Sequence, residues 1–220
     1  MGAFQALLLA HLLGDFPCQP YPLLRWKIAS HRGLLVHVAI QGALALPVAA
    51  SLIPAWGWWL AALLASHYLI DWAKIRLTRP GWLELAAFFV DQALHVTVLW
   101  AIVRLSGAHT TFHGLADLSL RVAIAFILVA YAGAVVVFLV GAALTRTAVE
   151  FAPIPPVDRW RGIAERTGVL IGHLLLPAAA WVLLTAAYLL AAGVRRRERQ
   201  AWVKTAVSIA WALAVTLVAV

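Results

Sequence analysis

The sequence predicts an all-α, polytopic membrane protein with about seven transmembrane helices and a polar-lined core of four helices in its N-terminal half. Hydrophobic residues make up 64% of the 220 positions and charged residues only 12%, and the mean hydropathy is +0.92. Soluble domains of this length are much less apolar. The chain also contains repeated apolar stretches close to the length of about 20 residues that a helix needs to cross a bilayer.

The predicted membrane segments follow one another along the whole chain. The first ends before Pro17, the second and third are joined by a tight turn at Pro54, and the fourth begins after Gly81, because proline and glycine interrupt helices. Tryptophans next to Pro54 are typical of an aromatic belt at the membrane surface. The predicted segments are residues 2–16, 33–53, 56–74, 83–105, 119–144, 167–192 and 201–220.

The segments divide into two predicted halves. Residues 1–106 would form a half of four helices that carries most of the buried polar residues. Residues 107–220 would form a half of about three helices with fewer polar residues in its apolar segments. The longest predicted loop covers residues 146–166, because three prolines and several charged residues interrupt the apolar pattern there.

The basic residues of the chain indicate how it contacts the membrane. The formal net charge is +8, and the loops after the first and third segments are rich in lysine and arginine, as cytoplasmic loops of membrane proteins are. We therefore expect membrane lipids as partners, and no nucleic acid. Cys18 is the only cysteine, so the sequence predicts neither a disulfide framework nor a thiolate metal site.

The most informative pattern is a repeated pairing of histidine with a polar residue four positions away. On a helix this spacing places both side chains on one face. Ionisable groups inside membrane segments cost about 2.5 to 3.5 kcal/mol each, so they usually serve a function. The pairs are His11 with Asp15, His37 with Gln41, His67 with Asp71, and Asp91 with His95.

All four pairs lie towards the side of the first and third loops, so the helices can bring them together in one leaflet of the membrane. Imidazole and carboxylate ligands without a soft donor suit zinc, manganese or iron, and the set is large enough for one or two divalent ions. The predicted metal ligands are His11, Asp15, His37, His67, Asp71, Asp91 and His95.

Further residues are candidates for catalysis or substrate binding near this site. Asp91 would act as a general base if it does not bind metal, and Lys74 would hold an anionic group, as would Arg32. We expect Gly33 to let the chain turn into the second segment and to leave His31 at the membrane surface, as a ligand or proton shuttle.

Two glutamines complete the candidate site. Gln19 lies on the helix face of the first pair and Gln92 adjoins Asp91, so both are predicted to bind substrate. The lysines and arginines also have a simpler interpretation. Taken singly, Lys27, Lys74 and Arg32 are more often anchors on the cytoplasmic side than substrate ligands.

The site predicts a metal-dependent hydrolase that acts on a lipid or lipid-linked substrate, through a phosphoester or acyl bond, at the cytoplasmic leaflet. The alternative is a transporter or channel in which the same residues conduct protons or metal ions. A third interpretation is structural, with histidine and aspartate hydrogen bonds that join helices. The outer halves of the second to fourth segments contain few polar residues, which favours the enzyme over a transport path.

The motifs resemble those of a bacterial integral-membrane family known as domain of unknown function 3307. The likeness is strong in the first half of the chain and faint at residues 165–172 and 198–208. This resemblance implies a multi-pass protein of the bacterial inner membrane and brings no established activity. The matching motifs are HLLGDF from His11 to Phe16 with Gln19, then His31 and His37, HYLIDWAK from His67 to Lys74, and DQ-x-x-H from Asp91 to His95.

A second, more distant resemblance concerns the stretch His31-Arg32-Gly33 with His37. It is similar to a motif of inner-membrane proteins classed as metal-dependent hydrolases. Those proteins have Thr-His-Ser where this chain has Val36-His37-Val38. The likeness implies hydrolysis as the class of reaction.

Overall fold

A computed structural model describes residues 2–78, 81–145, 156–195 and 199–219. Within these ranges the regular structure is helical and contains no strand, which confirms the predicted all-α fold. The elements are α1 Gly2–Asp15, α2 Tyr21–Ala29, α3 His31–Leu52, α4 Trp56–Leu77, α5 Trp82–Leu105, α6 Leu115–Ile127, a π-helical segment Leu128–Ala132, α7 Gly133–Thr145, α8 Pro156–Leu175, α9 Ala178–Arg195 and α10 Arg199–Ala219.

Three stretches of the described chain are long and apolar enough to cross a membrane. They are His31–Leu52, Trp82–Leu105 and Leu115–Leu144. Ala178–Ala192 and Trp202–Val218 are apolar but shorter, and α1 has only 14 residues, or about 21 Å at 1.5 Å per residue. The structure thus supports a membrane protein, whereas the predicted number of about seven transmembrane helices is not confirmed.

Two predictions for the second half of the chain are wrong. Residues 167–192 do not form one segment, because α8 ends at Leu175 and α9 begins after Pro177, which lacks the N–H group that a continuous helix needs. Residues 156–166 of the predicted loop belong to α8, since Pro156 stands at its first position, where proline is tolerated. Residues 146–155 of that loop lie outside the described residues.

The first predicted loop contains a helix that the sequence interpretation missed. α2 begins at Tyr21 with a proline in its first turn and ends at Ala29, so that Ser30 separates it from α3. The Ser30 hydroxyl accepts a hydrogen bond from the Gly33 N–H at 3.1 Å and so caps α3. A Cβ atom at Gly33 would lie 2.3 Å from the backbone of Trp26. Gly33 therefore permits a close approach of α2 to α3, and not the turn that we predicted.

The described residues form two compact units. The first contains residues 2–78 and 86–124, and the second contains residues 81–85 and those from 125 onwards. The first unit extends beyond position 106 because the Gly2 N–H donates to the Thr110 carbonyl at 2.9 Å and the Gln5 amide to Asp117 at 3.3 Å. Its apolar core is built by α1, α3, α4 and α5, and includes Leu7, Ala45, Leu63 and Leu99.

Candidate metal centre

The first unit brings all seven predicted ligands to one place in its interior. His11 and Asp15 come from the end of α1, His37 from the first half of α3, and the remaining two pairs from α4 and α5. Each of the seven residues is at most 8% exposed. The histidine rings are in direct contact: the ring centroids of His67 and His95 are 4.3 Å apart, and the ring of His11 stacks on that of His95 at 4.9 Å.

The donor atoms lie at distances that one metal ion can bridge. The Nε2 atom of His37 is 3.0 Å from Nε2 of His67 and 3.3 Å from Oδ1 of Asp15, and Nε2 of His67 is 3.2 Å from Oδ2 of Asp71. Ligands of a tetrahedral zinc ion are about 3.3 Å apart. Three sets of donors lie within 4.8 Å of one another: His11, Asp15 and His95; Asp15, His37 and His67; and His67, Asp71 and His95.

The hydrogen bond of His95 orients a lone pair towards this cluster. Nδ1 of His95 is 2.9 Å from the backbone carbonyl oxygen of Asp91. A carbonyl only accepts, so Nδ1 carries the proton and Nε2 of the neutral ring carries the lone pair. This Nε2 atom is buried and has no hydrogen-bond partner within the described ranges, and neither has Nε2 of His11. Metal-binding histidines are typically held by such a bond from the other ring nitrogen.

Two lysines neutralise two of the three carboxylates. Nζ of Lys27 is 2.8 Å from Asp71, and Nζ of Lys74 is 2.7 Å from Asp91. Asp15 has no lysine or arginine within 4 Å in the part of the chain that the structure describes. A carboxylate in this environment requires a compensating positive charge, from a metal ion or a protonated histidine.

Amide groups hold Asp15 in place. Gln41 donates to one of its carboxylate oxygens at 2.6 Å, and Gln92 donates to the other at 3.1 Å. Gln92 also donates to Asp91 at 3.1 Å, so it connects the two carboxylates. Gln19 accepts from Lys27 at 3.0 Å and donates to the backbone carbonyl of Asp15 at 3.2 Å. The predicted substrate ligands Gln19 and Gln92 thus belong to the polar network around the cluster.

The structure places two predicted site residues elsewhere. His31 lies at the exposed start of α3, where its Nδ1 atom is 2.7 Å from the hydroxyl of Tyr68. Arg32 is exposed beside it. Within the described ranges no hydrogen bond or ion pair connects either residue to the seven ligands. Asp91 reaches the cluster, but it belongs to none of the three sets of metal donors, so its second predicted role, as a base, fits its position better.

Lys27 is the site residue that the sequence interpretation missed. It was classed as an anchor on the cytoplasmic side, but it is only 8% exposed and pairs with Asp71. The proline in the first turn of α2 and Ser30 after its last residue are boundary signals that indicate a helix here. No pattern in the sequence separates buried Lys27 from Arg25 on the same helix, which is exposed.

The surroundings of the cluster are polar on one side and apolar on the other. A small cavity of about 10 Å³ lies on the apolar side, between His11, Gln41, His67 and the leucines of the core, and it has room for about one water molecule. On the polar side, Gln19 and Gln92 are partly exposed, and the side chain of Lys74 is 30% exposed. The lysine side is therefore the accessible side of the cluster.

Comparison with known proteins connects the cluster to a sequence family. The family described as Protein of unknown function (DUF3307) matches residues 3–120, which is more than half of the chain and includes all seven predicted ligands. No curated protein and no solved structure matches this chain.

Proposed function

The chain belongs to this family of unknown function, DUF3307, and from this premise we propose that it is a membrane-embedded, metal-dependent hydrolase of a lipid or lipid-linked substrate. The proposal includes a multi-pass protein of the bacterial inner membrane. The predicted span at residues 167–192 is left out of it, because α8 and α9 are separate helices. The site would face the cytoplasmic leaflet, where the loops rich in lysine and arginine would also lie.

One observation carries the proposal: four buried imidazole rings meet two carboxylates, and a lone pair of His95 points into the cluster with no hydrogen-bond partner among the described residues. Buried polar atoms are normally hydrogen-bonded, so such an atom requires an explanation. A divalent ion supplies it, because it accepts the lone pair and compensates the charge of Asp15. A donor set rich in imidazole favours zinc or iron, with manganese as the third choice.

The residues around such an ion would have different roles in binding it, orienting its ligands and accepting a proton. Asp15 and the four histidines would hold it, and the amides of Gln41 and Gln92 orient Asp15. A bound divalent ion acidifies water and polarises the scissile group. Asp91 would accept a proton, since its Oδ1 atom is buried without a hydrogen-bond partner within the described ranges while Oδ2 is held by Lys74 and Gln92.

The pairing of the lysines favours one ion over two. Asp71 and Asp91 already lie within 3 Å of an ammonium group, which leaves Asp15 as the carboxylate most available to a metal. Centres with two metals usually need carboxylates that bridge the ions. A single ion therefore fits the described charges better.

The alternative function is proton or metal-ion transport through the same residues. The contact of 3.0 Å between the Nε2 atoms of His37 and His67 favours it, because only a proton or a metal ion between two such atoms makes the contact favourable. A transport path also needs polar groups on the far side of the cluster. That side is occupied by the apolar core with Leu7, Ala45 and Leu99, so we prefer the enzyme.

The first experiment measures metal bound to the purified protein in detergent by elemental mass spectrometry. We expect about one equivalent of a transition metal in the wild type, and less than a tenth of it in Asp15→Asn and His67→Ala, each of which removes a donor from two of the three sets. The control is His109→Ala, because His109 is exposed and belongs to none of the sets.

The outcomes separate the two functions. Metal in the wild type and in the control, but not in the two site variants, together with hydrolysis of lipid in micelles, would support the enzyme. A wild type that binds no metal after incubation with zinc, manganese or iron would refute it. Proton flux in liposomes that is lost in His67→Ala would then establish the alternative.

A further inference from the structure

The ionic groups of the site define a net charge that a substrate must match. The three buried carboxylates Asp15, Asp71 and Asp91 face the two ammonium groups of Lys27 and Lys74. Taken with neutral imidazole rings, this set carries one negative charge. One divalent ion, as in the proposed function on which this inference rests, changes it to one positive charge.

A positive charge in an interior of low dielectric is costly unless an anion compensates it. An acyl ester is neutral and leaves the charge uncompensated. A phosphomonoester carries nearly two negative charges at neutral pH and overcompensates. A phosphodiester carries one negative charge and gives a neutral complex. We propose that the substrate is a lipid phosphodiester, and that the bond broken is a P–O bond.

Lys74 is the cation best placed to bind this phosphate. An ammonium group has three N–H donors. Lys27 donates to Gln19 and pairs with Asp71, and it is only 8% exposed. Lys74 donates to Asp91, and its side chain is 30% exposed on the accessible side of the cluster. Lys74 therefore keeps donors for a non-bridging phosphate oxygen, whereas Lys27 mainly sets the charge of the site.

The reaction balances without a further reagent. The oxygen of water forms a bond to phosphorus while the P–O bond to the leaving alcohol breaks. One proton of water passes to Asp91, and the leaving oxygen takes a proton from the network of the site. Asp91 then passes its proton to this network and replaces the one that the network lost, so the products are an alcohol and a phosphomonoester. After both products have been released, the protein has the same protonation state as before the reaction.

The test uses the full-length, metal-loaded protein in mixed micelles that contain phosphatidylglycerol and phosphatidylethanolamine, each of which has both acyl and phosphodiester bonds. Mass spectrometry of the products identifies the bond that is cleaved. Diacylglycerol or phosphatidic acid would support the inference. Lysolipid and free fatty acid would overturn it and leave the metal-dependent hydrolase in place. No cleavage by protein that holds its metal would overturn both proposals, and protein without metal refutes the proposed function itself.

A pair of lysine variants tests the contact with phosphate. We expect Lys74→Gln to raise KM for the phosphodiester at least tenfold, and Lys74→Arg to recover much of this loss, while the metal content of both stays unchanged. The matched control is Arg76→Gln, which removes the same charge from the same helix at a residue whose guanidinium lies 5.5 Å over the ring of Trp72. An equal rise of KM in Arg76→Gln, or none in Lys74→Gln, would overturn the role of Lys74.

Discussion

The two units of the molecule bury charge in opposite ways. In the first unit, carboxylates and imidazoles from four helices face one another, and several of their polar atoms have no hydrogen-bond partner in the described part of the protein. In the second unit, the buried ionic residue among the described ones is Arg166, which is 3% exposed. Its donors contact main-chain carbonyls of the π-helical segment Leu128–Ala132.

The contacts of Arg166 satisfy both the side chain and the backbone. Its Nε atom donates to the carbonyl of Val129 at 2.8 Å and one terminal nitrogen to that of Ala130 at 2.8 Å. The other terminal nitrogen donates to the Ser208 hydroxyl at 3.2 Å. A π-helical turn disturbs the regular hydrogen bonds of a helix, so these carbonyls gain a partner that the irregular backbone requires.

The hydrogen-bond partners of a buried charge indicate how that charge can be interpreted. Arg166 has well-aligned partners, so its position is explained by the fold. His11 and His95 present nitrogen atoms beside Asp15 that have no hydrogen-bond partner in the described ranges, so the fold alone does not explain them. The family match at residues 3–120 covers most of the first unit, which contains these histidines. Three substitutions test this contrast between the two units.

The largest effect is expected from Lys27→Met, which leaves the carboxylate of Asp71 buried without its ammonium partner. Removing one partner of a buried ion pair costs about 3 to 5 kcal/mol, so the free energy of unfolding of the metal-free protein should fall by that amount. Zinc should restore a large part of the loss, because the ion supplies the missing positive charge. Denaturant unfolding in detergent, with zinc and with chelator, measures both quantities.

The control for this prediction is Arg25→Met on the same helix. Arg25 is exposed and its guanidinium lies 6.0 Å from the ring centroid of Tyr21, so its loss should change stability by less than about 0.5 kcal/mol. If zinc stabilises Lys27→Met no more than it stabilises the wild type, the ion does not sit near Asp71.

An intermediate effect is expected from Arg166→Met in the second unit. The substitution leaves the carbonyls of Val129 and Ala130 without their donor, and buried unsatisfied groups cost about 1 to 3 kcal/mol each. We expect a loss of about 2 to 4 kcal/mol in the free energy of unfolding and an unchanged metal content. Arg161→Met is the control, since the side chain of Arg161 is 61% exposed and its ion pair with Glu165 lies at the surface. A loss of metal in Arg166→Met would contradict the contrast between the units.

The smallest effect is expected from Ser30→Ala, which removes the cap between α2 and α3. The Ser30 hydroxyl accepts from Gly33 at 3.1 Å, and loss of such a cap costs about 1 kcal/mol. The melting temperature should fall slightly while the metal content stays at the wild-type level. Metal loss in this variant would contradict the prediction. It would show that the start of α3, where His31 contacts Tyr68, is needed to hold the metal ligands in position.

Much of the first unit could be predicted from the sequence. The predicted segments 33–53, 56–74 and 83–105 differ by at most three residues from α3, α4 and α5, because proline and glycine mark their ends. The pairs with a spacing of four were sufficient to find the seven clustered residues, since this spacing fixes a common helix face. The prediction failed at α2, whose nine residues are too short and too mixed in polarity for a hydropathy pattern.

Local periodicity and composition are enough to predict the class of the fold, the helices that carry the site, and the residue types available to a metal ion. The packing of the helices determines that Lys27 enters the site while Arg32 and His31 stay outside it. It also determines that Asp15 is the carboxylate with no lysine partner among the described residues. Ion pairing requires distances of about 3 Å between charged side-chain atoms of different helices, and no spacing along one helix encodes them.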